Sequence, residues 1–136
     1  MGLDITFYTK LKHQTAYNSS DLRYFRKVYF LITYFNVEDD DNCVPIKLIK
    51  EKIEEFYEDM RKELATDHGE ILPKISENRI VRPNNERFFT KEHGWLSDYD
   101  GLYWSDFRQT YIFISNLLKH NLVDWDNEDL YMCCWW

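Results

Sequence analysis

Glycine is scarce, four residues in 136, and the chemistries that depend on it are missing. A phosphate loop or a dinucleotide fingerprint needs clustered glycines so that backbone N–H groups can approach an anion, and neither pattern occurs. No zinc-protease helix or nucleophile elbow occurs either. Cysteine is limited to Cys43, Cys133 and Cys134. An odd number with two adjacent members argues against a disulfide framework and for a reducing compartment. No apolar run approaches the roughly 20 residues of a membrane span. The first residues also lack a basic segment followed by an apolar one, so a cytoplasmic protein without a membrane partner is expected.

Basic residues are in deficit as well: 17 Lys and Arg stand against 24 Asp and Glu, a net charge of −7. Affinity for phosphate rests on Lys and Arg, so direct nucleic-acid binding is disfavoured. The natural complement is a basic protein surface, solubility being the other role an acidic balance serves. Histidine gives no metal signature. His13, His68, His93 and His120 are scattered, none three or four residues from another or from a cysteine, and zinc needs converging ligands. Two acidic stretches, Asp98-Tyr99-Asp100-Gly101 and Asp124-Trp125-Asp126-Asn127-Glu128, begin like calcium loops. Each then lacks the glycine at position six and the acid at position twelve. No cofactor, metal or catalytic residue is assigned, and a non-enzymatic protein is expected.

Aromatic residues are abundant: nine Phe, ten Tyr and five Trp make up 18% of the chain. Some of these rings must serve the core, and exposed Tyr and Trp are enriched where proteins meet partners. The clearest organising stretch is Gly101 to His120. Trp104, Phe107, Tyr111, Ile114 and Leu118 recur there at steps of three and four, the spacing of one helix face.

Leu3, Ile5 and Phe7 alternate with polar neighbours, which predicts a half-buried strand. Asn18, Ser19 and Ser20 are N-cap candidates for a helix reaching about Phe35, with Leu22, Phe25, Tyr29, Ile32 and Phe35 on one face and the deepest burial of any helix. The acids of Asn36 to Asn42 break it. Pro45 suits the first turn of a further helix, about Ile46 to Leu64, whose stripe is Ile46, Ile49, Ile53, Phe56, Met60 and Leu64. Its other face carries Lys47–Glu51, Lys50–Glu54 and Glu58–Lys62 at helix-neighbour spacing and reads as solvated. Ala65 to Asn85 is punctuated by Gly69, Pro73 and Pro83, with at most a short strand near Ile80-Val81-Arg82-Pro83 and another over Arg87 to Thr90. The uncharged end, Leu130 to Trp136, is a strand that belongs in the sheet.

These elements make a single α+β domain over residues 1–136. A small, largely antiparallel sheet contains both termini, and three helices pack on one face. The most partner-like stretch lies between Phe88 and Asp106. It interleaves rings with acids, and Trp95, Asp98, Tyr99, Asp100, Tyr103 and Asp106 are the candidate partner-binding residues. In the alternative arrangement the rings tuck beneath the loop and the acids simply face water.

The start Met1-Gly2-Leu3-Asp4 resembles the MGLD opening of small, mostly uncharacterised bacteriophage and prophage proteins. Tyr24-Phe25-Arg26-Lys27 is similar too, as are Ser97-Asp98-Tyr99-Asp100 leading through Tyr103-Trp104 into a helix and the tail of aromatic, small and Trp residues. The chain departs from that pattern at Ile5-Thr6 and Cys133-Cys134. The resemblance implies a phage or mobile-element origin, from which small acidic proteins often inhibit host defence. Together with the charge, it makes the expected partner a basic host protein such as a CRISPR effector or another nuclease. The alternative is a small ligand-binding or enzymatic phage accessory domain.

Overall fold

The computed structural model describes residues 2–12, 19–68 and 104–136. Four strands form one antiparallel sheet: β1 (Asp4–Leu11), β2 (Ser19–Arg26), β3 (Ile46–Leu48) and β4 (Glu128–Trp135), in the order β2-β1-β4-β3. Among the described residues three α-helices accompany them, α1 (Tyr29–Tyr34), α2 (Lys50–His68) and α3 (Trp104–Lys119), with a short 3₁₀ turn at Asp39–Asp41. The fold is α+β, and the strands nearest the two ends of the sequence are its central pair. β1 and β4 run side by side from Asp4 opposite Trp135 to Leu11 opposite Glu128.

Period-two patterning explains the two faces. Leu3, Ile5 and Phe7 of the first strand region are buried, as are Leu130, Met132 and Cys134 of β4. The helices lie on this side. Phe113 of α3 stands 5.2 Å from the Phe7 ring and 5.8 Å from the Phe25 ring. Phe30 of α1 meets Phe56 of α2 at 6.5 Å and Phe107 of α3 at 5.9 Å. Rings at these separations add edge and offset contacts to the area they bury. On the opposite face Tyr8 and Tyr131 stack at 5.6 Å and 17°, with the Lys10 ammonium above both. Cys133 and Cys134 take opposite faces: the second is buried and the first half-buried.

The helix expected from Asn18 to Phe35 is instead a strand followed by one and a half turns of helix. Phe25 sits opposite Ile5 in the sheet and packs on Phe7 at 6.0 Å. Lys27, with φ of 59°, breaks the chain direction between β2 and α1, and its N–H donates to the Leu3 carbonyl at 2.7 Å. The helical spacing of Leu22, Phe25, Tyr29 and Ile32 is real, but pairing with β1 overrides it. A sheet ladder is a long-range partner that local periodicity cannot register. α1 buries Phe30, Leu31 and Tyr34, not the expected face: Tyr29 is exposed and Ile32 and Phe35 are half-buried.

The second helix starts later than Ile46. Ile46 and Leu48 pair with Met132 and Leu130 as β3, so Pro45 precedes a strand and not a helical turn. Ile49 consequently leaves the apolar stripe and is 56% exposed. Ile53, Phe56 and Met60 keep to the stripe with no exposure at all. Lys47 does not pair with Glu51; from β3 it reaches Asp129 of β4 at 3.4 Å. In α3, Phe107, Tyr111 and Ile114 are buried as the spacing predicts, and Leu118 is half-buried. The strands expected near 80–83 and over 87–90 lie outside the described residues.

Candidate partner-binding surface

Of the six candidate residues, Trp95, Asp98, Tyr99, Asp100 and Tyr103 lie outside the described residues. Asp106 is described, in the first turn of α3, and its side chain is half-buried. A carboxylate near a helix N-terminus is ordinarily held ionised by the dipole. Here desolvation wins, and burial pushes the Asp106 carboxyl up to about 6. The raised value has a defined consequence for folding. The neutral acid is favoured in the folded chain, so this contribution is full below about pH 4, declines as pH rises through about 6, and is then lost. Asp106→Asn should remove that slope and raise neutral-pH stability by on the order of 1 kcal/mol, after discounting for partial solvation. Urea unfolding from pH 4 to pH 8 would check this; parallel curves for the two proteins would refute it.

A second set of acids, which the sequence places far apart, is brought together by the fold. Three shallow recesses of about 270, 380 and 310 Å3 adjoin one another, with Lys50 at the start of α2 in the wall of each. Their walls carry seven carboxylates and three lysines. Interleaved are Ile49, Tyr57, Leu118 and Trp125. The helix contributes Glu51, Glu54 and Glu58 because its outer face is charged, and the turn before β4 contributes Asp124 and Asp126.

That turn is wound by its own side chains. The Asp124 N–H donates to the Glu128 carboxylate at 2.9 Å, and the Asn127 amide donates to Asp124 at 2.8 Å. The Lys12 N–H donates to the Asn127 carbonyl at 2.8 Å, tying the turn to the end of β1. Asp129 is engaged within the chain by Lys47 at 3.4 Å and Lys12 at 3.9 Å. Among the described residues, Glu51, Glu54 and Asp126 are exposed and have no ion-pair partner. A separate acidic turn, Asp39–Asp41, lies beyond the opposite end of β4: Asn42, next to it, exchanges two hydrogen bonds with Trp136 at 3.2 and 3.3 Å. The Asp39–Asp41 acids and those around Lys50 thus form separate groups.

The recesses around Lys50 carry the parts for ionic recognition. The Cys134 thiol is pushed up to about 12 by burial, and burial raises Cys133 too; a reactive cysteine needs the reverse. Burial and the Asp59 carboxylate at 2.8 Å likewise raise the Tyr34 hydroxyl, which stays a donor. Among the described residues no group of three or more His, Cys, Asp and Glu is placed to hold a metal ion, and no helix is long and apolar enough to cross a membrane. The charged face of α2 and the acids of 124–129 are each visible in the sequence, but their meeting is not, because no local pattern records that the turn before β4 returns to the start of α2. No protein-family model matches the chain, and comparison with curated proteins and with solved structures finds no match.

Proposed function

We propose that this chain is an acidic, non-enzymatic inhibitor of phage type. It binds a basic, nucleic-acid-handling host protein, such as a CRISPR effector or another defence nuclease, in the host cytoplasm and occupies a surface meant for phosphates. The observation that carries this reading is the cluster of recesses around Lys50, where seven carboxylates outnumber three lysines and apolar side chains stand between them. Carboxylates there offer partners to Arg and Lys, and Trp125, Tyr57 and Ile49 offer contact area. Charge complementarity of this kind acts mainly on association rate and specificity. The Asp98 to Asp106 stretch belongs to the same proposal as a second acid-and-ring contact.

Pull-down from a host lysate tests it: the tagged chain should retain a nuclease or nucleic-acid-binding protein and release it as salt is raised. Recovery of no such protein, or retention indifferent to salt, would count against the reading. The ligand-binding alternative is favoured by a different feature, an apolar recess of about 180 Å3 walled by Leu3, Tyr29, Ile32, Val37 and Trp136. Thermal-shift screening with nucleotides, metals and small apolar compounds addresses it, since a ligand selective for the folded state raises the melting temperature.

A further inference from the structure

We propose that β2 is a self-pairing edge: two copies of this chain join antiparallel about Tyr24, extending the sheet from four strands to eight. The idea is independent of the acidic surface and of any host partner.

The backbone comes first. β2 ends the strand order and has eight residues, whereas β3 at the other edge has three. Among the described residues it pairs only with β1, and Asp21, Arg23, Tyr24 and Arg26 are exposed. The Lys27 N–H turns toward β1, donating to Leu3. In an antiparallel ladder the direction alternates residue by residue. Phe25 and Arg23 therefore also bond to β1, while Tyr24 and Arg26 turn both N–H and C=O away from β1, to an edge that no described strand covers. A two-fold axis at Tyr24 lets its N–H donate to the same carbonyl of the second copy, and the reverse, which closes a symmetric pair of hydrogen bonds.

The side chains then match under that one axis. Phe7 faces Arg23 and Tyr8 faces Asp21, which leaves Leu22 as a bulged extra residue. The bulge brings Asp21 onto the same sheet face as Tyr24 and Arg26, since their partners Tyr8, Thr6 and Asp4 share that face. In the paired dimer Arg26 falls opposite the Asp21–Leu22 bulge of the second copy, because a bulge sets two residues against one. Two Asp21–Arg26 pairs result, one on each side of the Tyr24 axis. On the helix-facing side Arg23 comes opposite Phe25 of the other copy, repeating the guanidinium-over-ring contact it makes with its own Phe25 at 4.8 Å. Neither Arg23 nor Arg26 forms an ion pair with the described residues of its own chain; Asp4, opposite Arg26 in the ladder, accepts instead from the Tyr24 hydroxyl.

Charges and bulges on an edge normally repel foreign strands. A sequence that reads Asp-Leu-Arg-Tyr-Phe-Arg from 21 to 26 keeps that protection against an arbitrary strand and lifts it for its own copy. A contact limited to one strand pair is at the small end of specific interfaces. The dimer is accordingly weak and dissociates on dilution.

Sedimentation equilibrium of the full chain over a concentration series tests the proposal. The average mass should climb from 16.7 kDa toward twice that value. Asp21→Arg should weaken association by about tenfold by setting like charges opposite each other. Combining it with Arg26→Asp should restore association by swapping both signs. Hydrogen exchange gives a readout free of substitutions: the Tyr24 and Arg26 amides should become protected as concentration rises, while the Phe25 amide is protected throughout. A monomer at every concentration overturns the proposal. So does a dimer that Asp21→Arg leaves intact, or one that protects neither Tyr24 nor Arg26.

Discussion

Phe56→Ala should cost about 3–5 kcal/mol of stability, the range for deleting a large ring from a packed core. Phe56 has no exposed surface. Its ring lies 4.4 Å from that of Tyr34, 5.0 Å from Phe35 and 6.5 Å from Phe30. It is thus the peg by which α2 holds α1, and α1, a six-residue helix, is too short to persist without packing. Collapse around the vacancy is restricted because the neighbours are themselves large rings in an interlocked set. A domain of this size has about 5–15 kcal/mol in hand, so the variant should sit close to unfolding at 37 °C. The melting temperature should drop by about 10–20 °C. Glu55→Ala, an exposed neighbour on the same helix, should change stability by no more than about 0.5 kcal/mol. A loss below about 1 kcal/mol at Phe56 would mean that α1 and α2 are held together by something else.

The second large effect is expected at the acidic recesses. Reversing Glu51, Glu54 and Asp126 to Lys should lower affinity for a basic host partner by about a hundredfold, with most of the loss in association rate. Each is exposed and unpaired among the described residues, so the fold should tolerate the change apart from a small loss where Glu51 leaves the first turn of α2, and a cooperative melting transition is the control. Raising salt should weaken the parent complex and have little effect on the variant. Surface plasmon resonance against the partner recovered by pull-down would resolve rate from affinity. Unchanged association in the triple variant would remove the Lys50 region from the interface and leave the Asp98 to Asp106 stretch as the candidate.

Much of the architecture is legible in residue order, wherever a local pattern had no competitor. Alternation in Leu3, Ile5 and Phe7 specifies a strand with one buried face. The Phe107, Tyr111, Ile114 series specifies a helix, and the uncharged tail specifies a strand that must be covered. The misreadings fall at boundaries where two patterns compete. Leu22 to Phe35 fits a helix by spacing, yet β1 supplies a ladder partner and Lys27 supplies the break. Ile46 opens an apparent helical stripe, yet Met132 and Leu130 claim Ile46 and Leu48 for the sheet. In both places the deciding partner lies across the fold, outside any local window.

By itself, then, the sequence determined the class of fold, the presence of both terminal strands in the sheet, most of the apolar stripes of α2 and α3 and the charge excess, because each follows from period and composition along the chain. Tertiary structure alone decided that β2 takes the edge with Tyr24 and Arg26 turned outward, and that Glu51 and Glu54 meet Asp124 and Asp126 around Lys50. Those outcomes depend on which strand pairs with which and where a turn returns to the body of the molecule. Such contacts join residues dozens of positions apart, and one-dimensional periodicity carries no record of them.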